Sequence, residues 1–346
     1  MSAPRILHVL PHAGGGGETY VRELQAMSQF SFKRFELSRH RRPAEAIARL
    51  VPLARTIPKH DLVHIHGDST ALVCLPVIGV RPTVITLHGS HLLRRSRGLR
   101  GGAVRAGLRL AFHRADAVIA VSESERDEAS RLAPGAAARI ILIHNGVPEA
   151  KLPEDADRDG VRAELGLEQG SVAVLFLGEL IHRKQPLQFA DAVTRARAAN
   201  PAIVGLVAGD GPLRGALERY GGEGIRLLGA RDDADVLVGA CDVFALPSRW
   251  EGLSYAVLEA MALGRAMLVS DGPGNPDAVA DAGIVFPVGD SRAMADGLTR
   301  LAADPGLRDS LGQAAAARAR ERFSLTEMLR ATAGLYEAAL GKGGAA

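Results

Sequence analysis

The sequence Trp250-Glu251-Gly252-Leu253-Ser254-Tyr255-Ala256-Val257-Leu258-Glu259-Ala260-Met261-Ala262-Leu263-Gly264 lies between two short apolar runs. Residues 242–248 form the first, stopped by Pro247, and residues 266–270 form the second. Strand, loop, helix and strand in that order make a βαβ unit. Ser254 suits the N-cap of the helix. Val257, Leu258, Met261 and Ala262 follow at helical spacing and would bury one face. The first-turn N–H groups of such a helix lack helical partners and carry partial positive charge, which suits an anion. Gly252 lets the backbone approach a ligand closely. Glu251 precedes the helix and Glu259 lies within it. A carboxylate accepts two hydrogen bonds and suits a pair of neighbouring hydroxyls. Carboxylates on both sides of an anion cradle suit a sugar nucleotide, with phosphate in the middle and hydroxyls at both ends. The same residues also fit an ordinary βα turn with a solvated Glu on each side.

The pattern E-G-(x)6-E-A-M-A-x-G resembles the signature of the retaining glycosyltransferase family 4, which has the GT-B fold. The resemblance implies that Glu251 contacts hydroxyls of the donor sugar and Glu259 the nucleotide ribose. The backbone of Gly252, Leu253 and Ser254 would hold the pyrophosphate.

At 346 residues the chain has room for two domains of ordinary size. It is 47% apolar and only 4% aromatic, which suits close-packed α/β layers. Cys74 and Cys241 stand apart in apolar surroundings and make neither a disulfide framework nor a zinc motif, so a reducing compartment is expected. No apolar stretch reaches the roughly 18 residues of a membrane span, no signal peptide is read at the start, and the expectation is a cytoplasmic protein. Charge is uneven. Residues 1–150 carry 21 Lys and Arg against 12 Asp and Glu, a balance of +9, and the remainder balances at −6. A basic half suits an anionic partner or membrane surface, or reflects an Arg-rich surface with no specific partner.

Residues 5–10 read as a first strand, followed by His12-Ala13-Gly14-Gly15-Gly16-Gly17-Glu18-Thr19 and a helix pattern at Tyr20, Val21, Leu24 and Met27. Gly15 and Gly16 leave no Cβ between backbone and ligand. The resemblance places this loop against donor phosphate or acceptor, and a plain surface loop is the alternative. Residues 30–37 suit a strand, residues 44–57 an amphipathic helix, and residues 61–66 a strand ending at Gly67. His64 fits a structural role; for His66 a structural and a functional reading stand level. Thr83-Val84-Ile85-Thr86-Leu87-His88-Gly89 is a strand closed by His-Gly, and ligands gather at the carboxyl ends of such strands. The resemblance assigns His88 to the donor sugar beside the reacting carbon. Residues 94–109 form a basic segment leading into an amphipathic helix with Val104, Leu108, Leu110 and Ala111. Such a face can dock on anionic lipid, and a solvated acceptor loop fits equally.

Ser122 or Ser124 can cap the helix after residues 116–121, and residues 139–147 resemble the strand that closes the first domain. Pro148 stands where the family often has Asp. Residues 149–160 are polar and read as the linker. Asp155 and Asp157 make a formal D-x-D, but no strand precedes them and no metal is expected there. In the second half Gly178-Glu179-Leu180-Ile181-His182-Arg183-Lys184 follows a strand. The family usually has Gly-Arg at its start and Lys at its end, facing the donor diphosphate. Lys184 matches, Glu179 does not, and Arg183 can compensate. Gly209-Asp210-Gly211-Pro212-Leu213 is a further family hallmark. Gly229, Ala230 and Arg231 resemble the segment whose backbone meets the nucleobase.

The implied architecture is α/β: a GT-B fold of two Rossmann-like domains facing across a cleft. Residues 1–152 would form the acceptor side and 153–325 the nucleotide-sugar side, with a C-terminal helix at 326–340 packing back on the first. The implied reaction moves a hexosyl group from a nucleotide sugar, a UDP- or GDP-sugar above all, to an acceptor hydroxyl without a metal or other cofactor. Carbohydrate, lipid-linked and small-molecule acceptors stay open, as does peripheral contact at the inner face of the membrane through residues 94–109. No nucleic-acid partner is expected. A nucleotide-sugar epimerase of the same fold and a non-catalytic binding subunit remain as alternatives.

Overall fold

The structure, a computed structural model, describes residues 3–12, 16–38, 43–149, 158–220 and 224–343. Two compact units emerge. One comprises residues 1–146 with 325–346, the other residues 147–324. The first unit thus ends at Gly146 and not at the 152 read from polarity. Val147 already pairs with Ser324 in an isolated parallel bridge inside the second unit. Most of the expected linker, residues 150–157 with Asp155 and Asp157, lies outside the described residues.

Each unit is one six-stranded, wholly parallel sheet flanked by helices. The first sheet holds β1 (Arg5–Leu10), β2 (Ser31–Glu36), β3 (Leu62–His66), β4 (Thr83–Thr86), β5 (Ala117–Ala120) and β6 (Ile140–Leu142) in the order β2-β1-β3-β4-β5-β6. The second holds β7 (Val172–Leu177), β8 (Ile203–Ala208), β9 (Ile225–Gly229), β10 (Val243–Leu246), β11 (Ala266–Ser270) and β12 (Gly283–Phe286) in the order β12-β11-β10-β7-β8-β9. Strands covered on both faces read as unbroken apolar runs, which is why residues 5–10, 83–87 and 172–177 were legible as strands. Leu7, Val9, Ile65, Ile85 and Val118 fill one core. Val174, Phe176, Leu206, Phe244 and Leu268 are buried in the other.

Strand order reverses once in each sheet, between β1 and β3 and between β7 and β10. Loops on either side of such a reversal diverge and leave a crevice at the carboxyl ends of the strands. The second unit places its informative loops there, after β7 and β10; in the first unit the loop after β1 flanks the reversal and the turn after β4 lies one strand further along, beyond β3.

Some expectations shift. Residues 44–57 split into Pro43–Ala48, Leu50–Thr56 and a short 3-10 turn Ile57–Lys59, because Pro52 and Pro58 interrupt one continuous helix. Leu110, read into the apolar stripe of Gly98–Arg114, points outward at 43% exposure, while Val104, Leu108 and Ala111 are buried. The last helix, Leu325–Gly343, belongs to the first unit and sets the Tyr336 hydroxyl 2.6 Å from His64 Nδ1.

The Gly-Asp-Gly-Pro-Leu turn shows why glycine is needed after β8. Gly209 sits at φ +142°, and an added Cβ would collide with the carbonyl of Gly178. Leu180 N–H in turn donates to Asp210 O at 2.9 Å, so the two loops lock backbone to backbone. Gly209→Ala should lower stability by about 2 kcal/mol or more. Gly170→Ala, at φ +83° with open space around it, should cost only about 1 kcal/mol. Urea midpoints of the two variants check the contrast.

Candidate functional site

Three side chains expected to serve the donor meet in the second unit. Glu251 Oε2 lies 2.7 Å from Arg183 Nη1, and its Oε1 lies 2.8 Å from Lys184 Nζ. Glu251 and Lys184 are buried, and Arg183 is largely covered. Burial alone would raise the Glu251 pKa. The charges of Arg183 and Lys184 overcome this and hold it at about 2. Burial lowers Lys184, while Glu251 and Glu179 act in the opposite direction. Glu179, half-buried where a cation was expected, thereby supports the ammonium charge of Lys184.

Backbone contacts hold the cluster in place. Arg249 N–H donates to Arg183 O at 2.9 Å, and the Arg183 guanidinium also donates to Trp250 O. Gln185, directly after Lys184, is left-handed at φ +57°, an unusual conformation for a residue with a side chain. On the far side, Glu251 N–H donates to Pro273 O at 2.8 Å. Gly274, at φ +89°, packs where a Cβ would strike the carbonyls of Glu251 and Gly252. Asn275 Nδ2 donates to Ser270 Oγ at 2.9 Å, and that hydroxyl donates to Ser248 O. These supports sit in Ser270-Asp271-Gly272-Pro273-Gly274-Asn275, a stretch that resembles the family's loop after the motif strand but whose bracing role was not read from the sequence. The signal was there in two glycines flanking Pro273.

Gly252, Leu253 and Ser254 are buried and lead directly into the helix Tyr255–Ala262. Ser254 occupies the N-cap position, but its hydroxyl makes no cap bond, contrary to the capping expected of it. Glu259 lies half-buried within that helix. Gly229 is the last residue of the edge strand β9, and Ala230 and Arg231 follow it. Gly209 N–H donates to Gly229 O at 2.7 Å, whereas Arg231 is exposed and grips Asp233. The structure therefore joins Arg183, Lys184 and Glu251 and leaves the Arg231 side chain outside that cluster.

His88 belongs to the first unit. It follows β4 in the left-handed region at φ +58°, with Ser90 also left-handed at +48°. Glu125 holds this turn. Its Oε1 accepts the Gly89 N–H at 2.6 Å and the Ser90 hydroxyl at 3.2 Å, and its Oε2 accepts the Val121 N–H. Ser122, not Ser124, caps the helix that carries Glu125. Burial pushes Glu125 up to about 7 against those donors. Sequence reasoning passed over Glu125 because it looked like one more charge on a polar helix. Gly17 packs against His88, the Tyr20 ring meets it edge-on at 5.0 Å, and Gly16 opens the helix Gly16–Leu24. Gly15 lies outside the described residues. His88 Nε2 stands 3.1 Å from His66 Nδ1, and His66 Nε2 stands 2.9 Å from His8 Nδ1. Burial lowers His88 to about 4 and, with help from Arg34, His8 to about 3. His64 and His66 are also driven well below the usual value by burial.

Of the basic segment, Arg94 pairs with Glu128 at 2.8 Å and Arg109 donates to Leu132 O. Arg95, Arg97, Leu99 and Arg100 are exposed, Leu99 almost fully.

Residues 9–151 match the family pattern described as Glycosyltransferase Family 4, and residues 171–304 match that of Glycosyl transferases group 1. The chain belongs to the family 4 glycosyltransferases. The UDP-Gal:alpha-D-GlcNAc-diphosphoundecaprenol alpha-1,3-galactosyltransferase of Escherichia coli is 31% identical over 239 residues, spanning 63% of this chain and 59% of that protein. The alpha-D-kanosaminyltransferase of Streptomyces kanamyceticus is 29% identical over 299 residues, spanning 79% and 76%. This glycosyltransferase thus covers less than two thirds of the first relative's length and about three quarters of the second's. Among solved structures, the sucrose-phosphate synthase of Thermosynechococcus elongatus superposes with a TM-score of 0.82 at 20% identity, over 98% of this chain and 100% of that one. Anabaena HepE in complex with UDP-glucose gives 0.79 at 20%, over 97% and 100%. At such identity these neighbours establish the GT-B fold. Among the described residues no helix is long and apolar enough to cross a membrane.

Glu251 ionises at about 2 in the fold against an ordinary 4.5. Its pairing therefore stabilises the protein above about pH 4.5, and that stabilisation is lost as the pH falls toward 2. At pH 7, Glu251→Gln should cost at least about 2 kcal/mol, since two buried cations then face a neutral amide. The gap from the parent should narrow as the pH falls through that window. Urea midpoints of both proteins at several pH values measure it, and a gap independent of pH contradicts the pairing.

Proposed function

We propose that this glycosyltransferase moves a hexosyl group from a nucleotide sugar to an acceptor hydroxyl with retention of anomeric configuration. The observation that supports the reading is the Arg183–Lys184–Glu251 cluster at the strand reversal of the second sheet, beside the start of Tyr255–Ala262. In this reading Arg183, Lys184 and the turn Gly252–Leu253–Ser254 receive the donor diphosphate. Glu251 accepts hydrogen bonds from sugar hydroxyls, and Glu259 takes the ribose. His88, from the first unit, is assigned to the donor sugar. The binding of UDP-glucose by Anabaena HepE supports a uridine nucleotide.

Diphosphate oxygens would compete with Glu251 for the same two cations. The bond from the anomeric carbon to the diphosphate oxygen breaks, and a bond to the acceptor oxygen forms on the same face. The acceptor proton passes to a departing diphosphate oxygen. We assign no metal to this step, because two cations and a helix start can stabilise the developing charge. Gly229, Ala230 and Arg231 are assigned to the nucleobase through their backbone, and Gly15 and Gly16 to the donor or acceptor. The exposed Arg95, Arg97, Leu99 and Arg100 suit an acceptor presented at an anionic lipid surface.

The test is turnover of UDP- and GDP-sugars with a panel of glycoside and lipid-linked acceptors, with product configuration read by NMR. Lys184→Ala should cut turnover by about a hundredfold or more, the scale of losing one donor to a developing anion, with the circular dichroism spectrum unchanged. Turnover near that of the parent would reject the assignment. Conversion of the donor sugar without any acceptor would mark an epimerase.

A further inference from the structure

The first unit buries a row of histidines of which the reaction as proposed uses only His88, at one end. His8 Nδ1 and His66 Nε2 are 2.9 Å apart, and His66 Nδ1 and His88 Nε2 are 3.1 Å apart. His8 comes from β1, His66 from the end of β3 and His88 from the turn after β4, so the row crosses the strand reversal of that sheet. His64 lies close by, with ring centroids 4.1 Å from His66, but it faces elsewhere. Its Nδ1 meets the Tyr336 hydroxyl at 2.6 Å and its Nε2 meets Thr86 Oγ1 at 2.7 Å.

Each link between two neutral imidazoles needs one N–H and one bare nitrogen, and a neutral imidazole has one of each. Two contacts in series therefore leave only two arrangements of protons. In one, every ring carries its proton on Nδ1. In the other, every ring carries it on Nε2. His8 Nε2 discriminates between them, because it is buried and has no hydrogen-bond partner among the described residues. Under the second arrangement it would be an N–H with no acceptor. Under the first it is a bare nitrogen, and orphaned buried acceptors are tolerated more often than orphaned donors.

We infer that His8 and His66 are positioning residues that fix His88 as the Nδ1–H tautomer. His88 Nε2 is occupied by His66, so the ring offers one nitrogen, as a hydrogen-bond donor, to an acceptor oxygen on its ligand. Burial keeps the rings neutral, so the row orients a proton and does not carry one. The Tyr20 ring, edge-on with centroids 5.0 Å apart, restricts the His88 ring further. This inference rests on the reading of His88 as a group that meets the sugar donor, but its primary readout needs no ligand.

Three of these rings also have nitrogens close enough to share an ion, at His8, His64 and His66. Both nitrogens of His64 and of His66 already have partners, and a metal would have to break those contacts.

The experiment is long-range proton–nitrogen correlation NMR on the full chain with 15N-histidine, assigned through single His variants. The parent is expected to show His8, His66 and His88 as Nδ1–H tautomers at neutral pH. His66→Leu should release His88 into a tautomer mixture and lower kcat about tenfold, the usual scale for losing the outer partner of a functional imidazole. His66→Asn places an amide N–H near the lost Nδ1 and should restore both the His88 signature and most of the rate. His8→Leu should act in the same direction as His66→Leu, more weakly. An Nε2–H tautomer at His88 in the parent would overturn the inference. So would a His88 signal indifferent to His66→Leu, or stoichiometric Zn(II) binding that shifts the His8, His64 and His66 signals together. If the tautomer pattern holds but Lys184→Ala retains full turnover, the assigned function fails and the row stands. If Lys184→Ala is inactive and the pattern is absent, the reverse follows.

Discussion

A buried carboxylate held between a buried ammonium and a largely covered guanidinium is the interaction on which the second unit depends. Glu251 stands against Arg183 on one oxygen and Lys184 on the other. Each of the three would be costly to bury alone; removing Glu251 leaves two cations without an answer, whereas removing either cation leaves a balanced pair. The cluster keeps a net charge of about +1, a modest attraction in itself but one expressed where water is scarce. Its members come from two loops, after β7 and after β10, that are neighbours only because strand order reverses between those strands. The charge pairing therefore also ties the two sides of the crevice to each other.

Backbone contacts supply the rigidity that the ion pairs alone would lack. The turn after β8 braces the loop bearing Lys184, and the turn after β11 braces the loop bearing Glu251. Both braces depend on glycine, because carbonyl groups occupy the space a Cβ would need. The first unit solves the same problem with a side chain. Glu125 gathers two N–H groups and a hydroxyl around the turn that follows β4. His88 and Ser90 hold left-handed conformations there, and Gln185 does so beside Lys184. Such conformations cost of order 1–2 kcal/mol each and persist only where the surroundings impose them. They fall next to the residues assigned to the donor, which is where strain of this kind tends to collect.

Much of this was legible in the chain. Unbroken apolar runs announced the parallel strands. The spacing of Glu251 and Glu259 around a helix start, with Gly-Asp-Gly-Pro-Leu and the His-Gly ending of the fourth strand, pointed to the family. Other features were hidden for identifiable reasons. Arg183 bonds Glu251 through the fold of two loops nearly seventy residues apart in sequence, and no local pattern encodes that. Ser254 has the right chemistry for a cap and stands in the right place, yet its hydroxyl does not cap. Side-chain rotamers are settled by tertiary contacts. His8 read as one more residue of a buried strand. Its meaning appears only when β1 and β3 pair and bring it against His66.

Glu179 is the residue whose type looked most at odds with binding a diphosphate. A carboxylate in place of a guanidinium removes one positive charge and adds a negative one. The structure moves the question from the diphosphate to Lys184. Burial works to strip Lys184 of its proton, and Glu179 is one of two carboxylates that work to keep it there. A neutral amine would give no electrostatic help to a departing anion, so a nearby carboxylate that preserves the ammonium can be worth having even at some cost in repulsion. Arg183 supplies a guanidinium one residue before Lys184, paired with the same carboxylate. Two positive charges thus stand beside Glu251 with Glu179 in this loop.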